Sequence, residues 1–138
     1  MPTESERLEV EKVIHDAIGW ALTKDLERLF SIMAQDDDFF IFHPDSKSTI
    51  AGFEAFKRLG ESVWLKEAFR ATDFAVHDLR LKFAEMGNVL WYSCYLDDHA
   101  EWNGQPIGWD NARWTGVLEK RNSQWVIVQM HFSFPKDG

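Results

Sequence analysis

Cysteine is almost missing from this chain. Its 138 residues hold one cysteine, Cys94, so no internal disulfide can form and burial alone must hold the fold together. Positive charge is also scarce, because 15 Lys and Arg stand against 23 Asp and Glu and leave a formal net charge of -8. That balance repels phosphate backbones and anionic bilayers, and the basic residues are scattered, so neither nucleic acid nor membrane is an expected partner. No apolar run approaches the ~20 residues that a membrane-spanning helix needs. The start, Met1-Pro2-Thr3-Glu4, lacks the basic and apolar stretches of a signal peptide, which makes the cytoplasm the expected compartment. His15, His77 and His99 lie among aspartates without a repeated ligand spacing, and neither a metal nor another cofactor is expected. Asp36-Asp37-Asp38 lacks the spaced ligands and the glycine of a calcium loop and reads as a solvated turn.

Aromatic residues, in contrast, are plentiful: 7 Trp and 11 Phe suit a packed core or a cavity for flat, greasy ligands. The length is that of one domain, residues 1–138, with enough chain to bury its own core. Residues 3–23 read as an amphipathic helix opened by the capping pair Thr3 and Glu6, and Asp25 caps a shorter helix carrying Leu26, Leu29, Phe30 and Met33. A short strand, Phe39 to His43, stops at Pro44-Asp45, with a partner at Ser48 to Gly52. A third helix covers Phe53 to Leu65. From there the pattern changes to four long strands, near 70–85, 89–101, 107–120 and 125–134, separated by Met86-Gly87-Asn88, Asn103-Gly104-Gln105-Pro106 and Arg121-Asn122-Ser123. Helices first and an antiparallel meander afterwards predict an α+β fold, three N-terminal helices on a curved, mainly antiparallel sheet.

Alternation sorts the strand side chains into two faces. In the last strand Val126, Val128, Met130, Phe132 and Phe134 form an apolar row, whereas Trp125, Ile127, Gln129, His131 and Ser133 form a mixed one. A three-residue loop at Arg121-Asn122-Ser123 sets Trp114 opposite Met130 and Gly116 opposite Val128; a two-residue loop would mix the faces. A three-residue loop at Met86-Gly87-Asn88 likewise places Leu79, Leu81 and Phe83 beside Tyr95, Ser93 and Trp91, which turns Cys94 away from the pocket.

The order of elements, with Pro44-Asp45, Gly52-Phe53, Glu101-Trp102-Asn103-Gly104, Arg113-Trp114-Thr115-Gly116 and the ending from Trp125 to His131-Phe132-Ser133, resembles the SnoaL-like branch of the nuclear transport factor 2-like superfamily. The resemblance covers nearly the whole chain and implies a cone-shaped α+β barrel, a homodimer and one deep pocket between helices and sheet. It implies no single activity, since the superfamily includes isomerases, cyclases, dehydratases and assembly domains. The pocket of the similar calcium/calmodulin-dependent kinase association domain maps onto Phe56, Trp64, Trp91, Gly116 and Phe132. That pocket is arginine-rich; here the matching residues are aromatic or small, so an anionic ligand has no support. The aspartate base of ketosteroid isomerase maps onto His43, before Pro44, but its tyrosine falls near Ala17 or Ile18 and its second acid near Ala112, which leaves an enolate without a stabiliser.

The expected function is the binding of a small apolar or aromatic molecule, with Phe56, Trp64, Trp91, Trp114, Met130 and Phe132 as walls and Ser93, Tyr95 and His43 as polar anchors. One alternative is a cofactor-independent isomerase, dehydratase or cyclase with His43 as general base, its imidazole titrating near neutrality. The plainer role for His43 is a strand-end side chain bonded to backbone. A second alternative is a dimeric assembly module, in which the face of Arg113, Thr115, Gln129 and His131 joins two subunits. Trp102 and Trp109 flank the Asn103–Pro106 turn, either as a lid or subunit contact or folded over the rim.

Overall fold

The computed structural model describes residues 2–137. Helix α1 runs Glu4–Gly19, and the Thr3 hydroxyl accepts a 3.0 Å hydrogen bond from the Glu6 N–H, as the capping pair predicts. Its inward stripe is Val10, Val13, Ile14 and Ala17; a tight turn, Trp20–Leu22, continues it toward Asp25. Asp25 caps α2, Leu26–Ser31, through a 3.1 Å bond from the Arg28 N–H. Helix α3, Phe53–Leu59, widens into a π-type turn over Gly60–Trp64 that carries Trp64 to the protein's interior side, where its ring meets those of Trp20 and Phe56.

The strands are β1 (Phe40–Phe42), β2 (Ile50–Ala51), β3 (Phe69–Phe83), β4 (Val89–Trp102), β5 (Gln105–Arg121) and β6 (Gln124–Ser133). They form one curved six-stranded sheet in the order β2-β1-β6-β5-β4-β3, and only β1 beside β6 is parallel. The sheet is open, with β2 and β3 at its edges, and the three helices cover one face. Between the layers lies the core of Val10, Ile14, Leu29, Phe39, Leu90, Leu96, Trp114, Leu118 and Ile127, all nearly inaccessible to solvent. Each such side chain contributes roughly 1.5–3 kcal/mol of burial.

Two hairpins depart from the expected loops. In β5–β6, Arg121 pairs with Gln124, so only Asn122 and Ser123 turn, both at positive φ (50° and 66°). The two-residue loop does not mix the faces, because the sheet corrects itself further on. Leu118 pairs with Ile127 and Val117 with Gln129, which leaves Val128 as an extra, bulged residue. Trp125 and Ile127 therefore point inward before the bulge, and Met130 and Phe132 after it.

In β3–β4, Phe83 pairs with Leu90, and the Ala84 N–H donates to the Val89 carbonyl oxygen at 2.8 Å. The loop is thus one residue longer than expected, Glu85 to Asn88. A one-residue slip inverts a whole strand, and β4 turns Leu90, Tyr92, Cys94 and Leu96 inward and Trp91, Ser93 and Tyr95 outward. Inversion is favoured because the other row ends in Asp97, His99 and Glu101, which would have to be buried. Tyr92 swings its ring over Gly116, whose absent Cβ would stand 2.5 Å from the Tyr92 oxygen. Only glycine leaves that space.

Candidate functional site

A cavity of about 350 Å³ opens between the helix layer and the inner face of the sheet. On the helix side Trp20 and Trp64 form a corner, ring centroids 5.5 Å apart at 49°, beside Ala17, Ile18 and Ala21. The sheet contributes Ile41, Phe69, Ala100, Trp109, Met130 and Phe132. Small residues in α1 and Ala100 in β4 leave the space that the aromatic rings surround.

Of the residues singled out from sequence, His43, Phe56, Trp64, Met130 and Phe132 line this cavity. Trp114 lies one layer deeper, fully buried, and stacks on Phe132 at 5.5 Å and 16°, so it braces the wall rather than facing the space. Trp91, Ser93 and Tyr95 require correction. They occupy the opposite face of the sheet, where Trp91 is 49% and Tyr95 41% exposed, because of the β3–β4 slip. Trp109 closes the rim, with its ring 5.2 Å from Phe132 and 6.0 Å from His43, whereas Trp102 is half-buried at the β4 end and does not line the cavity. The turn between them is the two-residue pair Asn103-Gly104, since Trp102 pairs with Gln105.

His43 follows β1 and lies flat on Phe132, ring centroids 5.4 Å apart at 7°. Its Nδ1–H donates to the Ser48 carbonyl oxygen at 2.6 Å. A carbonyl can only accept, so the proton sits on Nδ1 and Nε2 keeps its lone pair in the neutral ring. Burial lowers the His43 pKa below its ordinary 6.5; the Ser48 carbonyl and Asp45 oppose this more weakly. At neutral pH the ring is an uncharged acceptor, bonded to backbone and also on the cavity wall.

Sequence reasoning missed Asp98. It continues the inward row of β4, between Leu96 and Ala100, with Phe74 of β3 and Trp109 of β5 as register partners. A bulge on β5, where Asp110 and Asn111 together face Asp97, keeps both Trp109 and Ala112 turned inward. Beside Asp98, Gly108 has φ +131° and lies so close to the Asp98 carbonyl that no side chain fits. Burial pushes the Asp98 carboxyl up to about 6, with His99 pulling weakly in the other direction. Its neighbour Asp97 points outward, accepts from His77 Nε2 at 2.8 Å and the Asn111 N–H at 2.8 Å, and is lowered by the His77 bond. The missed signal was the row itself, in which Leu90, Tyr92, Cys94, Leu96 and Ala100 leave Asp98 as the one charged member.

Other candidate chemistry is absorbed structurally. His99 donates from Nδ1 to Asp73 at 2.5 Å and from Nε2 to Asp110 at 2.7 Å; these two bonds raise its pKa to about 9 and tie β3, β4 and β5 together on the outside. Burial pushes the Cys94 thiol up to about 12, and its Sγ donates toward the Trp114 carbonyl oxygen at 3.7 Å, which removes it as a nucleophile. Among the described residues no three His, Cys, Asp or Glu side chains are grouped to hold a metal ion, and no helix is long and apolar enough to cross a membrane.

The raised Asp98 pKa has a thermodynamic consequence. Between the ordinary carboxylate range and about 6 the folded chain holds this proton more tightly than the unfolded chain, so Asp98 withdraws stability as pH rises through that window. Asp98→Asn is expected to be more stable than the wild type at pH 7 by about 2 kcal/mol, with most of the gain gone at pH 4. Urea unfolding at both pH values measures it. A gain independent of pH would show that the carboxyl is not desolvated.

Comparison with solved structures finds the same architecture at low identity. A candidate dehydratase of the NTF2-like family from Streptomyces avermitilis superposes with TM-score 0.77 at 15% identity, over 97% of this chain and 99% of that one. An NTF2-like protein of unknown function from Pseudomonas putida KT2440 gives 0.72 at 17% identity, covering 98% and 90%. The association domain of C. elegans CaMKII gives 0.69 at 16% identity, covering 95% and 97%. At such identities the likeness establishes the fold alone. No curated protein sequence matches the chain. The family model described as a SnoaL-like domain matches residues 10–137, and the chain belongs to that family.

Proposed function

We infer that this protein binds a small, largely apolar or aromatic molecule in the cavity between its helices and sheet. The observation that carries the reading is the enclosure itself: about 350 Å³ of space walled by Trp20, Phe56, Trp64, Trp109, Met130 and Phe132. Its volume falls within the range of small-molecule pockets, which combine apolar walls with a few placed polar groups. His43 and Asp98 are those groups here.

A second reading, cofactor-independent proton transfer of the isomerase, dehydratase or cyclase kind, is supported by the state of His43. Its Nδ1–H is committed to Ser48, and burial keeps the ring neutral, which is how a general base is prepared. The solved dehydratase candidate shares the fold and adds nothing about these residues.

The outer face of the sheet supports pairing with a second copy of the chain. Phe42, Trp91 and Tyr95 are 44%, 49% and 41% exposed there, interleaved with Ser93, Thr115, Gln129 and His131. Exposed aromatics beside Arg113 and uncharged polar groups match the composition of an interface core, with Lys82 and Arg80 opposite Trp91 and Ser93 toward the β3 edge, and the CaMKII association domain presents the same architecture in a domain named for association.

Three outcomes test these readings. In a thermal-shift screen of small aromatic compounds, hits should raise the wild-type Tm with the logarithm of ligand concentration above Kd, and Trp64→Ala should weaken them about tenfold by removing an aromatic wall. Hits unaffected by Trp64→Ala would place binding elsewhere. If a hit is turned over, His43→Ala should abolish turnover while weakening binding far less, and wild-type kcat should rise with pH through a value below 6.5 as the imidazole loses its proton. Sedimentation equilibrium should give a wild-type dimer and a Trp91→Glu monomer; a monomeric wild type would remove the pairing.

A further inference from the structure

Every other carboxylate that the fold employs has a partner. Asp16 pairs with Lys12 and Arg28, Glu6 with Lys120, Asp36 with Arg121, and Asp73 and Asp110 share His99. Asp98, half-buried in the cavity wall, has neither an ion pair nor a side-chain hydrogen bond among the described residues. Among the described residues no lysine or arginine lines the cavity, and its histidine is held neutral by burial. A carboxylate in such surroundings is costly unless something completes it, and none of the described residues does. The backbone at Asp98 would be held equally well by an asparagine, so the charge has no structural employment.

The walls around it determine what can complete it. Trp109 is its register partner in β5, and Trp20, Trp64 and Phe69 present rings to the same space. Faces of indole and benzene rings attract cations, and the attraction strengthens where water is excluded. A net charge of -8 further draws cations toward the molecule.

We propose that the cavity selects a cationic ligand, a small apolar or aromatic amine whose ammonium group lies against the Asp98 carboxylate and whose hydrocarbon body fills the tryptophan-walled space. This names the ligand class for the cavity reading above and rests on it. A protonated tertiary amine supplies one N–H for the carboxylate, and its N-methyl groups spread positive charge over the rings. Anions and neutral acceptors gain nothing from an ionised Asp98.

The electrostatic surroundings fix the pH dependence. His99, next along β4 and turned outward, is the charge that acts on Asp98, and it stays protonated at neutral pH. His43 is the other titratable group on the cavity wall, and His15 of α1 packs its ring 6.4 Å from Phe74, the β3 partner of Asp98. Protonation of Asp98 removes the anchor, and protonation of His43 adds a repelling charge, so both weaken amine binding in acid.

The test compares benzyldimethylamine, protonated at neutral pH, with isobutylbenzene, its neutral isostere, by titration of the indole N–H signals of Trp20, Trp64 and Trp109 in NMR spectra. At pH 7.5 the amine should bind at least tenfold more tightly than the hydrocarbon. Its Kd should rise about tenfold at pH 5 while that of the hydrocarbon stays level, as expected for a carboxyl titrating near 6. In Asp98→Asn the preference should fall to about one and the pH dependence should flatten. The wild-type pH series stands without the variant, should that variant fold poorly. Equal binding of both probes, or tighter binding of the hydrocarbon at pH 7.5, overturns the cationic ligand and leaves the apolar cavity intact. Tighter amine binding at pH 5 than at pH 7.5 overturns it too. Failure of both probes to move any of the three signals counts against the cavity as a binding site and takes this proposal with it.

Discussion

The pairing register of β4 is the constraint on which the site depends. One residue of slip decides whether the core receives Leu90, Tyr92, Cys94 and Leu96 or Trp91, Ser93 and Tyr95. The observed choice carries Asp98 to the cavity wall and places Asp97 and His99 outside, where each finds partners. Burying the opposite row would take two or three ionised groups out of water, at a cost of several kcal/mol per unpaired charge. One longer loop at Glu85–Asn88 costs far less. The single charge that the favoured row still brings inward is the one with a functional reading.

Bulges let long strands obey the core at both ends. On β6 the extra residue Val128 switches the inward set from Trp125 and Ile127 to Met130 and Phe132, so α1 is packed at one end and the cavity is walled at the other. On β5 the Asp110-Asn111 bulge does the same for Ala112 and Trp109. Without these shifts, a period of two carried through strands of this length would put either the ends or the middle on the wrong face. The bulges also bend the sheet, and its curvature together with the small residues Ala17, Ala21 and Ala100 keeps the interior from filling completely. The same sheet has two distinct faces, a cavity wall on one side and exposed aromatics on the other.

The electrostatic contrast across the sheet follows from solvent. Outside, His99 between two aspartates is raised to about 9, and the Asp97 carboxyl is lowered, because hydrogen bonds made to the ionised forms favour them. Inside, burial reverses both preferences, lowering His43 and raising Asp98 to about 6. The two cavity groups thus have their charge states brought closer to neutrality, which is the condition in which a ligand's own charge and hydrogen bonds count most.

Local chemistry settled a good deal of this protein without three-dimensional information. The caps at Thr3 and Asp25 and the turn signals Pro44-Asp45 and Asn103-Gly104-Gln105-Pro106 placed the elements, because each depends on side chains within a few residues of one another, and the structure shortened the last turn to its first two residues. The inward-facing Met130 and Phe132, and His43 at the end of β1, were legible for the same reason. The β4 face was not, since both of its rows carry aromatic residues and a loop's length is decided by what the whole strand must bury. Trp91, Ser93 and Tyr95 were therefore assigned to the wrong side, and Asp98 was passed over. Packing made those decisions: only the meeting of helices, bulged strands and an incompletely filled interior determines which of two neighbouring aspartates is taken out of water.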